Sequence, residues 1–139
     1  MNPNQQHIKL SATSFSKMLQ LKGVLKKYQQ GEVLFEEGKK PTAIYLIING
    51  EVSLVKSGSE CNVNIMNHKE KDIVGLDLIF DNKLCSYTAV TSSNCEIYEI
   101  NIDVFKQFLI DENSMSLELL KYLSSLIKQL ENSPLYVLN

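Results

Sequence analysis

Residues 28–50 read YQQGEVLFEEGKKPTAIYLIING. Apolar residues alternate through Val33 and Phe35, and a denser apolar run follows from Ala43 to Ile48. A strand buried on one face alternates apolar and polar residues with a period of two. Glycine stands at 31, 38 and 50, each where a chain would turn. Gly31-Glu32 opens the first of these strands and Glu37-Gly38 closes it. Asn49-Gly50 then separates AIYLII from EVSLV, the signature of a β-hairpin. Either member of that pair reaches positive φ at little cost, as a type I′ turn requires. The stretch therefore predicts short strands and tight turns, closed into a barrel or sandwich.

Working outward, strands are expected from Val24 through Tyr28 and at about 33–36, 43–48, 51–56 and 61–66. KSGSECN around Gly58 is a turn, and NHKEKD, residues 67–72, is a charged turn that leaves His68 in solvent. IVGLDLIF, residues 73–80, opens as a strand and closes as a single helical turn after Gly75. SYTAVTSS and CEIYEI are strands. NIDVFKQFLI reads as a short helix with Asn101 or Asp103 placed to cap it. Ahead of the strands, Phe15, Met18 and Leu19 suit one or two helical turns, preceded by a polar stretch at 1–12. A last helix covers roughly 114–131. Residues 1–139 thus form one mainly β domain with flanking helices, its barrel at about 24–101 and its C-terminal helices at about 102–131.

The chain has 139 residues, 44% hydrophobic and 22% charged, ordinary for one globular domain. A formal net charge of -2 gives no global attraction to nucleic acid or to an anionic membrane. No apolar run approaches the roughly 20 residues that span a bilayer. The N-terminal MNPNQQHIKL lacks the apolar core of a signal peptide. Cys61, Cys85 and Cys95 are odd in number and widely spaced, against a disulfide framework or a CxxC metal site. They read as buried or half-buried thiols of a cytoplasmic protein. His7 and His68 lie on different segments and cannot supply the histidine-rich centre of a metal-dependent β-barrel enzyme. G-x-S-x-G, Walker A and H-E-x-x-H patterns are absent. The expectation is a non-enzyme without a metal centre.

In the last helix Leu119, Leu123, Leu126 and Leu130 are spaced four, three and four apart, the alternation of a coiled-coil seam. Leu120 and Ile127 widen the stripe, while Glu118, Lys121, Lys128 and Glu131 stay off it. The same apolar face would serve a helix docked on its own barrel. A homodimer through these four leucines is the expectation.

GEVLFEEGKKPTAIYLIINGEVSLV resembles the opening of the cyclic-nucleotide-binding domain of the catabolite activator/FNR superfamily of regulators. Gly31, Glu32, Gly38, Tyr45, Gly50, Glu51 and Val52 match the family pattern in order. KDIVGLDLIFDNKLCSYTAV resembles the later phosphate-binding cassette, with Asp72 and Gly75 in place. CEIYEINIDVFKQFL resembles the last strand and the helix after it. The resemblance covers about residues 24–131. It implies an eight-stranded double-stranded β-helix, or jelly-roll, barrel with a C-terminal dimerisation helix.

The resemblance also defines a candidate effector pocket at Gly75, Leu76, Asp77, Lys83, Cys85 and Ser86. The family's cassette carries a glutamate that accepts the ribose 2′-hydroxyl and an arginine that pairs with the cyclic phosphate. Here Leu76 stands at the glutamate position and Cys85 at the arginine position, with Ser86 at the small-hydroxyl position. Asp77 is one residue out of register for the glutamate. Lys83 lacks the planar fork of an arginine. Amides after Gly75, together with Ser86, would leave a partial anion cradle. Binding of cyclic AMP or cyclic GMP is therefore expected to be weak. A different small-molecule effector, or none, is the alternative.

In the transcription-factor branch of the family, a helix-turn-helix domain follows the dimerisation helix. Here the chain runs from Leu130-Glu131 through Asn-Ser-Pro to Asn139, too short for a DNA-binding module. The expectation is a sensor module that does not itself bind DNA, standing alone or as the N-terminal part of a longer regulator. A ligand-free dimerisation scaffold of the same fold is the second reading.

Overall fold

The computed structural model describes residues 16–78, 83–111, 119–123 and 128. Two compact units divide the chain, one at Met18–Phe105 and the other at Met1–Lys17 with Lys106–Asn139. The first unit holds eight strands: β1 Val24–Tyr28, β2 Val33–Phe35, β3 Ala43–Asn49, β4 Val52–Lys56, β5 Val63–His68, β6 Ile73–Val74, β7 Thr88–Thr91 and β8 Cys95–Asn101. They form two four-stranded antiparallel sheets, ordered β1-β8-β3-β6 and β2-β7-β4-β5. This is the eight-stranded jelly roll expected from the resemblance. Helix α1 covers 16–22, and α2 runs Ile102–Asp111. Asn101 Oδ1 accepts the amides of Asp103 at 2.8 Å and Val104 at 3.2 Å, so Asn101 caps α2.

The core lies between the sheets. Tyr45 and Ile47 of β3 join Val52 and Leu54 of β4, Val74 of β6, Ala89 of β7 and Cys95 and Ile97 of β8 in one buried cluster. The alternate residues of β3, Ile44 and Leu46, are buried as well and lie on the opposite face of that sheet. Ile44 pairs with Ile100 there. Buried Leu19, Ile102 and Phe105 come from the helical segments of the same unit. A Cβ added at Gly23, just after α1, would lie 2.9 Å from Ile100 Cγ1, which shows how closely that end of α1 seats on β8. By contrast β4 alternates buried and half-buried residues, so its sheet faces solvent on one side.

The structure corrects the hairpin reading of Asn49-Gly50. The chain does turn there, but β3 pairs with β6 and β8, whereas β4 pairs with β5 and β7. The turn is a corner that carries the chain from one sheet to the other. The reason is legible in burial: β3 is covered on both faces and β4 on one, so the two belong to different sheets. Gly50 takes φ of 98°, and a Cβ there would stand 2.5 Å from Asn94 O and 2.6 Å from Cys95 Sγ. Gly38 takes φ of 87° with nothing near the missing Cβ.

A second correction concerns His68. The polar residues Asn67 and His68 continue β5, and His68 pairs with Val52. Its side chain is buried, with Nδ1 3.2 Å from Asp72 Oδ2. The same carboxylate oxygen accepts the Lys69 amide at 3.0 Å, and the turn closes from Asp72 N to Lys69 O at 3.0 Å. A carboxylate four residues on lets the imidazole leave water, which is why the solvated-turn expectation fails. Lys71 occupies the left-handed region in this turn, with φ of 74°. Among the cysteines Cys61 is exposed, while Cys85 and Cys95 are buried. No helix among the described residues is long and apolar enough to cross a membrane.

Gly50→Val should destabilise the protein by about 2–3 kcal/mol, because backbone strain and a clash with Asn94 and Cys95 act together. Gly38→Val, which meets only the strain, should cost about 1 kcal/mol. Urea melts of the two variants beside wild type check the ordering, and equal losses would contradict the close approach at Gly50. A pH dependence follows from Asp72. Burial opposes its ionisation, but hydrogen bonds from His68 and the Lys69 amide outweigh that and hold its carboxyl below the ordinary 3.8. A depressed folded value contributes stability above the ordinary value, lost as pH falls through the folded one. Asp72→Asn should therefore show a shallower loss of stability than wild type in melts taken from about pH 5 down to about pH 2.5.

Candidate functional site

The cassette begins where β6 leaves the sheet. Tyr45 pairs with Val74 and Leu46 with Ile73, which anchors the approach. Gly75 then takes φ of 96°, and a Cβ there would meet only ordinary contacts at 3.7 Å. Glycine serves the turn's handedness here rather than a close approach. Leu76–Leu78 form one 3₁₀ turn, closed by Leu78 N donating to Gly75 O at 3.1 Å. The helical turn expected after Gly75 is present in this tighter form. At its far end the cassette is tied to the β2–β3 loop: Cys85 N donates to Lys39 O at 2.7 Å, and Gly38 N donates to Cys85 O at 2.8 Å.

Within this frame the six predicted residues separate. Leu76 and Cys85 are buried, whereas Asp77, Lys83 and Ser86 are exposed. Ser86 stands between buried Cys85 and buried Tyr87, so alternation turns it away from the interior. The hydroxyl that meets the cassette turn comes instead from Tyr87, which the sequence reading did not single out. Its OH donates to Asp77 Oδ1 at 2.7 Å. The signal that could have found it is the period-two run of buried Cys85, Tyr87, Ala89 and Thr91 leading into β7.

Two further aromatic residues complete the wall. Phe35 stacks on Tyr45 with ring centroids 6.0 Å apart and tilts against Tyr87 at 5.5 Å. Tyr45 OH donates to Leu34 O at 3.0 Å, so its polar tip is satisfied inside the core. Leu78, Cys85 and Tyr87 belong to the same buried cluster as Tyr45. These side chains line the barrel interior on this side.

The electrostatics follow. Burial pushes the Cys85 thiol up, and the neighbouring Asp77 carboxylate adds to that, so Cys85 is a neutral thiol at the position where an arginine was expected. Burial also pushes the Tyr87 phenol up, as do the charge of Asp77 and the hydrogen bond to it, so Tyr87 remains a donor. All fourteen basic residues of the chain are lysines. No alternative register could bring an arginine, with its paired donors for phosphate, into this cassette. Asp77 places a carboxylate at the turn, which disfavours an anion there.

Two open clefts lie elsewhere. One of about 560 Å³ is lined by residues that include Glu51, Lys69, Glu70 and Lys71, and one of about 610 Å³ by residues that include Lys27, Glu32 and Glu96. Each mixes both signs of charge on an exposed surface, and neither includes a cassette residue. Among the described residues no three of histidine, cysteine, aspartate and glutamate gather to hold a metal.

Comparison with known proteins gives one consistent answer. No curated protein matches the chain. Among solved structures the barrel is similar to the catabolite activator protein of Thermus thermophilus, at 16% identity and a TM-score of 0.71 over 84% of this chain and 55% of that one. A transcriptional regulator from Thermotoga maritima matches at 19% identity and a TM-score of 0.72, over 84% of this chain and 92% of that one. The c-di-GMP responsive global regulator CLP of Xanthomonas campestris matches at 18% identity and a TM-score of 0.71, over 86% of this chain and 57% of that one. The chain therefore spans only about half the length of the Thermus and Xanthomonas regulators. Likeness at these identities establishes the fold. The family model described as cyclic nucleotide-binding domain matches residues 25–112, well over half the chain. The protein belongs to the cyclic nucleotide-binding domain family.

Proposed function

We propose that this protein is a regulatory sensor module of the cyclic nucleotide-binding fold whose phosphate-binding cassette has been altered, and that it belongs with the transcription regulators. The observation that carries the reading is a cassette whose opening turn is kept while its chemistry is changed. Gly75 and its turn are in place, while Leu76 and Cys85 are buried and apolar where the family's glutamate and arginine would stand. Losing a charge-assisted bidentate pair costs about 2–5 kcal/mol when its partner stays buried. At about 1.4 kcal/mol per decade, a micromolar cyclic nucleotide becomes a millimolar one. The module acts as a cytoplasmic homodimer, takes no part in DNA contact itself and carries out no catalysis.

A second reading has a specific observation in its favour. Phe35, Tyr45, Leu78, Cys85 and Tyr87 occupy the interior beside the cassette, which suits a scaffold that keeps the barrel and has lost its effector. Thermal-shift screening separates the two, because a ligand at 100 times its Kd stabilises a fold by about 2.7 kcal/mol. A flat screen across cyclic mononucleotides, cyclic dinucleotides and common metabolites favours the scaffold.

The dimer is proposed through the C-terminal leucines. Leu119 is buried within one chain at 6% exposure, whereas Leu120 is 63% exposed and Leu123 is half-buried. Leu126 and Leu130 lie outside the described residues. The proposed contact therefore centres on Leu123, Leu126 and Leu130, with Leu120 at its rim, and leaves Leu119 to its own chain.

Calorimetric titration with cyclic AMP should give no saturation at physiological concentration, and a micromolar Kd would overturn the altered-cassette reading. Leu76→Glu with Cys85→Arg should improve binding, and a folded double variant that binds no better would show the register to be misplaced. In sedimentation at micromolar concentration, wild type should run as a dimer and Leu123→Glu/Leu126→Glu as a monomer. Circular dichroism on the same samples tells loss of pairing from loss of fold.

A further inference from the structure

We propose that Asn49 is a site of spontaneous deamidation through the Gly50 amide, restrained in the folded chain by Glu96. The inference concerns the corner between the sheets and not the cassette, so it stands apart from the sensor reading. Among the asparagines of the sequence only Asn49 is followed by glycine. In such a pair the glycine nitrogen attacks the asparagine Cγ, because no Cβ crowds the nitrogen. The N–Cγ bond forms, the Cγ–Nδ2 bond breaks, and ammonia leaves with the proton of the attacking amide. Water then opens the resulting succinimide at either carbonyl, giving aspartate or isoaspartate.

The structure adds three conditions to the sequence motif. Asn49 ends β3 exposed, on the open cleft of about 610 Å³, so water as second reactant reaches it. Residue 50 is held to glycine by the fold itself, since φ is 98° and a Cβ would stand 2.5 Å from Asn94 O. The corner thus keeps the reactive partner in place. Finally, Asn49 Nδ2 donates to Glu96 Oε1 at 2.8 Å. Attack needs the side chain to swing back over its own main chain and away from β8, and this bond opposes the swing. Glu96 is therefore a brake. Conversion replaces the donor with a carboxylate facing Glu96, which repels it. Glu32 and Glu96 already outnumber Lys27 along that cleft, and the new charge arrives where the pairing of β3 with β8 ends. Isoaspartate also lengthens the main chain at the corner. Deamidation is a one-way loosening of the junction between the sheets.

The test follows the intact protein over days at neutral pH by peptide mapping with mass spectrometry. Asn49 should gain the mass of an amide-to-acid change ahead of exposed Asn67, with isoaspartate among the products. In Glu96→Ala the rate at Asn49 should rise about threefold or more, as loss of one hydrogen bond implies, while Asn67 keeps its rate. In urea, where the fold is gone, wild type and Glu96→Ala should convert at one rate. Asn49→Asp, which supplies the aspartate product, should unfold at lower urea than freshly prepared wild type. An Asn49 that converts no faster than Asn67, or a product free of isoaspartate, would overturn the site. The brake is wrong if Glu96→Ala leaves the rate unchanged, if Asn67 speeds up in parallel, or if the difference persists in urea. Equal urea midpoints for Asn49→Asp and wild type would remove the loosening.

Discussion

From Ala43 to Ile47 strand β3 offers water no face. Ile44 and Leu46 are buried on one side and Tyr45 and Ile47 on the other, so the strand must sit in the interior of a sheet that is covered twice. Its hydrogen-bonding edges are taken by β8 along its length and by β6 at Tyr45 and Leu46. The second sheet covers the inner face, and the helical segments of the same unit add buried Leu19, Ile102 and Phe105. Burying four such side chains contributes about 6–12 kcal/mol in gross terms, comparable with the whole stability of a domain. The cassette inherits its position from this strand, because Val74 and then Gly75 leave the sheet from β3's edge.

Much of this could be read before any coordinates existed. Period-two patterning gave the strands, and Asn101 announced the start of α2 through a side chain suited to capping. What failed was pairing. Asn49-Gly50 specifies a reversal of direction but not which strand lies alongside afterwards, since that depends on burial summed over both faces of each strand. The change across Gly50, from a continuous apolar run to one that Ser53 interrupts between Val52 and Leu54, held that information. His68 failed for a related reason. A histidine amid charged residues looks solvated until a carboxylate four positions on proves to be its partner.

The candidate site divides along the same line. Gly75 and the apolar Leu76 and Cys85 are properties of single positions, and the sequence displays them. Tyr87 matters through what it touches, a carboxylate ten residues earlier and the ring of Phe35 fifty-two residues earlier. Such contacts exist only once the two sheets have closed on each other. The electrostatic outcome is a cassette that carries a carboxylate, a neutral thiol and a phenol. The chain has no arginine at all, so no shift of register could supply one here.

The three thiols have different surroundings, and that gives them different uses. Cys61 is exposed in the loop between β4 and β5, whereas Cys85 lies in the cassette and Cys95 lies under Gly50 at the corner between the sheets. A thiol-specific dye supplied in limiting amount will therefore label Cys61 alone and leave the fold undisturbed. Once Cys61 is blocked, a second reagent reports on the protein's interior. Modification at Cys85 before Cys95 marks local loosening around Cys85, and simultaneous modification of both marks loss of the buried cluster they share. The chain thus carries its own pair of chemical reporters, one for each kind of motion.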